Sequence, residues 1–175
     1  EIAWASDNKT VFYILQDDAL RSYRLMRHAL GTDPARDALV YEEADELYSM
    51  GIDRSDSGKF IFLGIGSKTT SEYRVIPADR PEAEPTVLFA REKGIEYGVD
   101  HQGDFFYILT NENAKNFKLL RAPVADPAKT NWTEVIAHDP ATHLTGFDVF
   151  QHHLVVNQRT NGQQRIRVLD TRDGQ

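Results

Sequence analysis

The chain has 175 residues and no cysteine, and its 20 Lys and Arg stand against 27 Asp and Glu, a formal net charge of −7. An acidic balance without a Lys/Arg cluster argues against nucleic acid, whose phosphates draw basic faces, and the missing thiols exclude disulfides, thiolate nucleophiles and cysteine-held zinc. With 41% hydrophobic and 27% charged residues the composition is that of a globular chain rather than a disordered one, and no apolar run approaches the roughly 20 residues of a membrane-spanning helix.

The opening Glu1-Ile2-Ala3-Trp4 has neither the basic start nor the apolar stretch of a secretory signal. It fits a cytoplasmic, reducing setting, and a first residue other than Met reads as a trimmed segment. Short stretches rich in aromatic and β-branched residues then predict strands along the whole chain. They fall at 2–6, 11–14, 23–25 and 39–41, then at 47–53, 60–63, 73–75 and 87–89. A third set covers 95–100, 105–108, 117–119 and 135–137, and a last one 144–150, 154–156 and 166–168. Turn residues separate them at Asp7-Asn8, Asp56-Ser57-Gly58, Gln102-Gly103 and Asn161-Gly162, the last well suited to a tight hairpin with positive φ. One segment carries a competing signal. Asp33 suits a helix N-cap, Pro34 the first helical position, and the Ala, Glu and Leu residues up to Leu47 favour helix. The repeat described next places a strand at 39–41 instead.

Val11-Phe12-Tyr13-Ile14, Phe60-Ile61-Phe62-Leu63, Phe105-Phe106-Tyr107-Ile108 and Leu154-Val155-Val156 begin 49, 45 and 49 residues apart. Tyr23-Arg24-Leu25, Tyr73-Arg74-Val75, Phe117-Lys118-Leu119 and Ile166-Arg167-Val168 follow at spacings of 50, 44 and 49. Two series that lengthen and shorten together mark one repeated unit. Four antiparallel strands in such a unit are a β-propeller blade. The fold expected is therefore all-β: a propeller fragment with blades at about 1–43, 44–92 and 93–140, and part of a fourth at 141–175.

Within this frame, His28-Ala29-Leu30-Gly31-Thr32 followed by Asp37-Ala38-Leu39-Val40-Tyr41-Glu42-Glu43 resembles a segment of the propeller in the prolyl oligopeptidase family of serine peptidases. Thr69-Thr70-Ser71-Glu72, Glu96-Tyr97 with Asp100-His101, and Lys115-Asn116-Phe117 with Leu120-Arg121 resemble its oligopeptidase B branch. The resemblance implies a propeller that covers an α/β-hydrolase domain and restricts it to short peptides, cleaved after Arg or Lys by a Ser-His-Asp mechanism. The hydrolase domain, absent from this segment, would be the partner of the propeller, and short basic peptides the substrates. The alternative is a stand-alone propeller scaffold that binds another protein.

No catalytic residue is assigned, because a nucleophile elbow needs Gly-x-Ser-x-Gly and none occurs. His28, His101, His138, His143, His152 and His153 therefore have no identified nucleophile to serve. Gly64-Ile65-Gly66-Ser67-Lys68-Thr69 departs from the phosphate-loop spacing and leads into another strand, so it reads as a hairpin. His138, Asp139 and His143, or the adjacent His152-His153, lack the further ligands of a metal site, and neither metal nor cofactor is expected. Asn131-Trp132-Thr133 has the form of a glycosylation triplet, which matters only on secretion. Tyr48, Met50, Tyr97 and Phe147, on the strands expected to be innermost, could line a channel but are expected instead to pack between blades. The acidic run Glu42, Glu43, Asp45 and Glu46 reads first as a solvated connection between blades and second as a device that steers cationic peptides.

Overall fold

The computed structural model describes residues 1–172. It falls into two compact units, residues 1–94 and 95 onward, each holding two antiparallel sheets. In the first unit, β1 (Ile2–Trp4), β2 (Thr10–Gln16), β3 (Ser22–Ala29) and β4 (Ala38–Glu42) form one sheet in chain order. The second sheet follows as β5 (Ser49–Arg54), β6 (Phe60–Gly66), β7 (Ser71–Pro77) and β8 (Thr86–Phe89). The other unit contains β9 (Tyr97–Gln102), β10 (Phe105–Thr110), β11 (Lys118–Pro123) and β12 (Thr133–Ile136), then β13 (Thr142–Val149), β14 (His153–Thr160) and β15 (Gln163–Asp170). The all-β expectation of three four-stranded sheets and a three-stranded fourth holds.

Alternation explains the packing. Phe12 and Leu25 of the first sheet and Ile61, Leu63, Ile65 and Ile76 of the second are fully buried in one cluster, joined by Met50 and Ile52 of β5. In the second unit Leu109 and Leu119 meet Leu144, Val149, Leu154 and Val156. Each pleated strand sends alternate side chains to opposite faces, so one apolar face per sheet suffices to close the space between two sheets. The third strand of each four-stranded sheet carries a register shift against the fourth, at Leu25/Met26, Tyr73/Arg74 and Leu119/Leu120. Such bulges increase local twist.

The helical signal after Asp33 is expressed as a single turn. Pro34–Arg36 form a 3-10 helix, with the Asp33 side chain accepting from the Ala35 N–H, and the chain then extends into β4. Pairing of β4 with β3 supplies backbone partners and packing that an isolated helix would lack. Phe117, read as the start of a strand, stands one residue before β11 with φ of 64°. The seven-residue connection after β10 turns sharply there, and the Phe117 N–H donates to the Ala114 carbonyl. No helix among the described residues is long and apolar enough to cross a membrane.

Candidate functional site

The acidic run lies between β4 and β5, and the structure separates its four side chains. Glu42, the last residue of β4, faces Arg24 of β3 across the sheet, with Oε2 2.7 Å from Nε and both side chains 40% exposed. Glu43 turns inward and is only 4% exposed. Its Oε2 accepts from Arg91 Nη2 at 2.5 Å, and its Oε1 accepts the Asp45 N–H at 2.9 Å. Asp45 is exposed and its Oδ1 accepts the Leu47 N–H, while Glu46 is exposed at the tip of the loop. The fully solvated connection read from the sequence therefore does not hold at Glu43.

Arg91, just after β8, joins three segments. Its Nε donates to Glu72 Oε2 at 2.9 Å while Nη2 holds Glu43, and its guanidinium lies over the Tyr48 ring, 4.1 Å from the centroid. Glu72, at the start of β7 and 5% exposed, uses its other oxygen to accept from Arg74 Nε at 2.7 Å. Arg74 in turn covers the ring of Tyr41. Two buried carboxylates are thus matched by two guanidinium groups and flanked by two tyrosine rings. Burial pushes the Glu43 carboxyl up, but the bonds from Arg91, the Asp45 N–H and Tyr41 outweigh it and hold the group below the ordinary carboxylate range. Burial likewise opposes the charge on Arg91, and the two carboxylates overcome it, so that its proton is held more firmly than in a free guanidinium. Arg21 completes the arrangement from the β2–β3 turn, donating to the carbonyls of Glu43, Asp45 and Tyr48. None of Arg91, Arg21 or Glu72 was legible as a site residue, because their pairing spans up to 48 positions and leaves no local spacing signal.

A second polar cluster binds the β3–β4 connection. Asp37 Oδ1 lies 2.7 Å from His28 Nδ1, and the Tyr13 hydroxyl donates to Oδ2 at 2.7 Å. The pair has the imidazole–carboxylate half of a hydrolytic triad, but the hydroxyl sits on the carboxylate rather than beside the imidazole, so its geometry is that of a tie. Elsewhere, His101 is buried edge-to-face on Phe106, and His143 stands edge-to-face on Phe117. Asp139 Oδ1 accepts the Ala141 N–H, and His152 and His153 lie at the turn into β14. No group of three or more His, Asp or Glu suited to a metal occurs among the described residues. Gly64 and Gly66 end β6, and Ser67 donates its N–H to the Thr70 carbonyl, which makes this segment a hairpin. Met50 and Tyr97 are buried, and Tyr48 and Phe147 pack on the core of their own unit. Beside β12 and β15, two clefts of about 350 and 200 Å³ share Val135 and Arg167 in their walls.

Comparison with known proteins agrees over the whole length. The prolyl oligopeptidase N-terminal β-propeller domain matches residues 1–175. Dipeptidyl aminopeptidase BI of Pseudoxanthomonas mexicana is 40% identical over 170 residues, covering 96% of this chain and 23% of that protein. Protease 2 of Moraxella lacunata is 38% identical over 167 residues, covering 95% of this chain and 24% of that protein. Among solved structures, oligopeptidase B of Leishmania major superposes with a TM-score of 0.91 at 31% identity over 99% of this chain and 25% of its own. Oligopeptidase B of Trypanosoma brucei, in a closed form with covalently bound antipain, gives a TM-score of 0.90 at 27% identity over 98% of this chain and 24% of its own. The chain thus spans about a quarter of the length of these relatives. Fifteen strands among the described residues, in repeated antiparallel sheets matched along nearly the whole chain by sequence and by fold, place this chain in the prolyl oligopeptidase family, as an oligopeptidase B-like part of its N-terminal β-propeller domain.

Proposed function

We propose that this chain is a noncatalytic filter in a serine oligopeptidase, excluding folded proteins and passing short peptides to a catalytic α/β-hydrolase domain of the same longer protein. The observation that carries the reading is the match of all 175 residues to the propeller domain of a peptidase family. Blades at about 1–43, 44–92, 93–140 and 141–175 are its working units. In the complete, cytoplasmic enzyme, a serine activated by histidine and aspartate attacks the peptide carbonyl, and cleavage falls after Arg or Lys. The chain itself supplies exclusion and guidance. A narrow passage admits an extended peptide far more readily than a folded domain, so selectivity by size needs no contact with the reacting atoms.

Guidance is electrostatic in this reading. Glu42 is balanced by Arg24 and Glu43 by Arg91, which leaves Asp45 and Glu46, outside these ion pairs, as the exposed charges that draw cationic peptides. The test is kcat/KM of the complete peptidase against arginine peptides of increasing length and at increasing salt. A steep fall with length is expected; equal cleavage of short and long peptides would overturn the filter. The D45N/E46Q variant is expected to flatten the salt dependence while E43Q does not, and an unchanged slope in D45N/E46Q would remove the steering role.

A further inference from the structure

We infer that Arg91 is a specificity-determining residue of the filter, acting as a clamp that fixes β5, the first strand of its blade. The inference rests on the filter reading above. Glu43 belongs to the loop leading into β5, Glu72 to β7, and Arg91 to the segment after β8, so one guanidinium ties three parts of the first unit. Its two bonds leave from different nitrogens toward different carboxylates, a geometry that the planar fork of arginine provides and the single ammonium of lysine does not. Its face rests on Tyr48, the residue immediately before β5. Arg21 pins the main chain of the same loop through the carbonyls of Glu43, Asp45 and Tyr48.

The physical consequence is a stiff support for β5. Moving this loop outward takes Glu43 away from its counter-ion while the carboxylate is still buried, a displacement that an uncompensated charge makes unfavourable. In the filter reading, the first strand of each blade borders the central passage, and the width of that passage follows the position of these strands. Arg91 contacts no reacting group; it limits how far one wall of the passage can yield to a bulky substrate.

The experiment uses the complete peptidase with R91M, R91K and, as a control on an exposed pair of the same unit, R24M. It compares kcat/KM for a short arginine peptide and one several times longer, and follows amide exchange over residues 45–50. In R91M the long-to-short ratio is expected to rise about tenfold, with the short peptide within about twofold of wild type and exchange over 45–50 accelerated. R91K, with its charge but without the fork, is expected to rise about threefold, and R24M to stay at the wild-type ratio. An unchanged ratio in a folded R91M, or an equal rise in R24M, overturns the inference. If R91M does not fold, R91K decides, and an unchanged ratio there overturns it equally. Wild type cleaving both peptides alike would instead defeat the filter reading, and with it the role of Arg91 in specificity, whatever the exchange shows.

Discussion

Glu43 and Glu46 stand three positions apart in one acidic run, yet the first is buried against Arg91 and the second points to solvent. The difference comes from residues far along the chain, and it predicts different behaviour. E43Q leaves Arg91 with one charged partner and Asp45 with a weaker acceptor, and is expected to destabilise the protein by about 1–3 kcal/mol in urea unfolding. E46Q, at an exposed side chain, is expected to stay within about 0.5 kcal/mol. Asp37 offers a pH test. Burial pushes its carboxyl up, but the bonds from His28 and Tyr13 outweigh this and hold it below the ordinary carboxylate range. A depressed carboxyl pKa contributes stability in full above the unfolded value of about 3.9 and loses it as the pH falls through the lower folded value. The Tm deficit of D37N is therefore expected to be largest near neutral pH and to shrink below about pH 4. A deficit constant across that range would show that the charge of Asp37 contributes nothing.

At the level of elements, the hairpin between β14 and β15 turns on Asn161 and Gly162, with φ of 51° and 77°. Two successive left-handed residues make the tight turn whose twist matches that of the flanking strands. A Cβ at Gly162 would meet no atom within 4 Å, so substitution there isolates the backbone preference from packing. G162V is expected to cost roughly 1–3 kcal/mol, read from urea unfolding, without loss of strand content by circular dichroism. The same chemistry explains why the strands were legible: apolar alternation between turn residues is a local signal, and every predicted strand has its counterpart in β1 to β15. The limits of that signal are equally local. The capping residues around Asp33 do start a helix, but after one turn the chain extends at Asp37, which His28 and Tyr13 hold, and pairs as β4 with β3. The second 3-10 turn, Lys129–Asn131, has no capping side chain and gave no sign in the sequence.

Across the whole molecule, β15 pairs only with β14 among the described residues, and Ile166 and Val168 on it are 71% and 60% exposed. A strand with an open edge and apolar side chains offers its backbone groups to another chain. The isolated 175-residue protein is expected to self-associate, with a sedimentation coefficient that rises with concentration, and I166K/V168K to reduce the effect. A monomer at all concentrations would show that this edge is protected.

The repeat, and with it the propeller, was determined by the sequence alone, because strand alternation, turn residues and repeat spacing can be read from the order of residues, and short motifs added the family by resemblance. Which charges remain exposed was decided only by the tertiary structure. Arg91 meets Glu43 from 48 positions away and His28 meets Asp37 across a connection. Burial and ion pairing depend on which segments the fold brings together, and neither leaves a trace in the order of nearby residues.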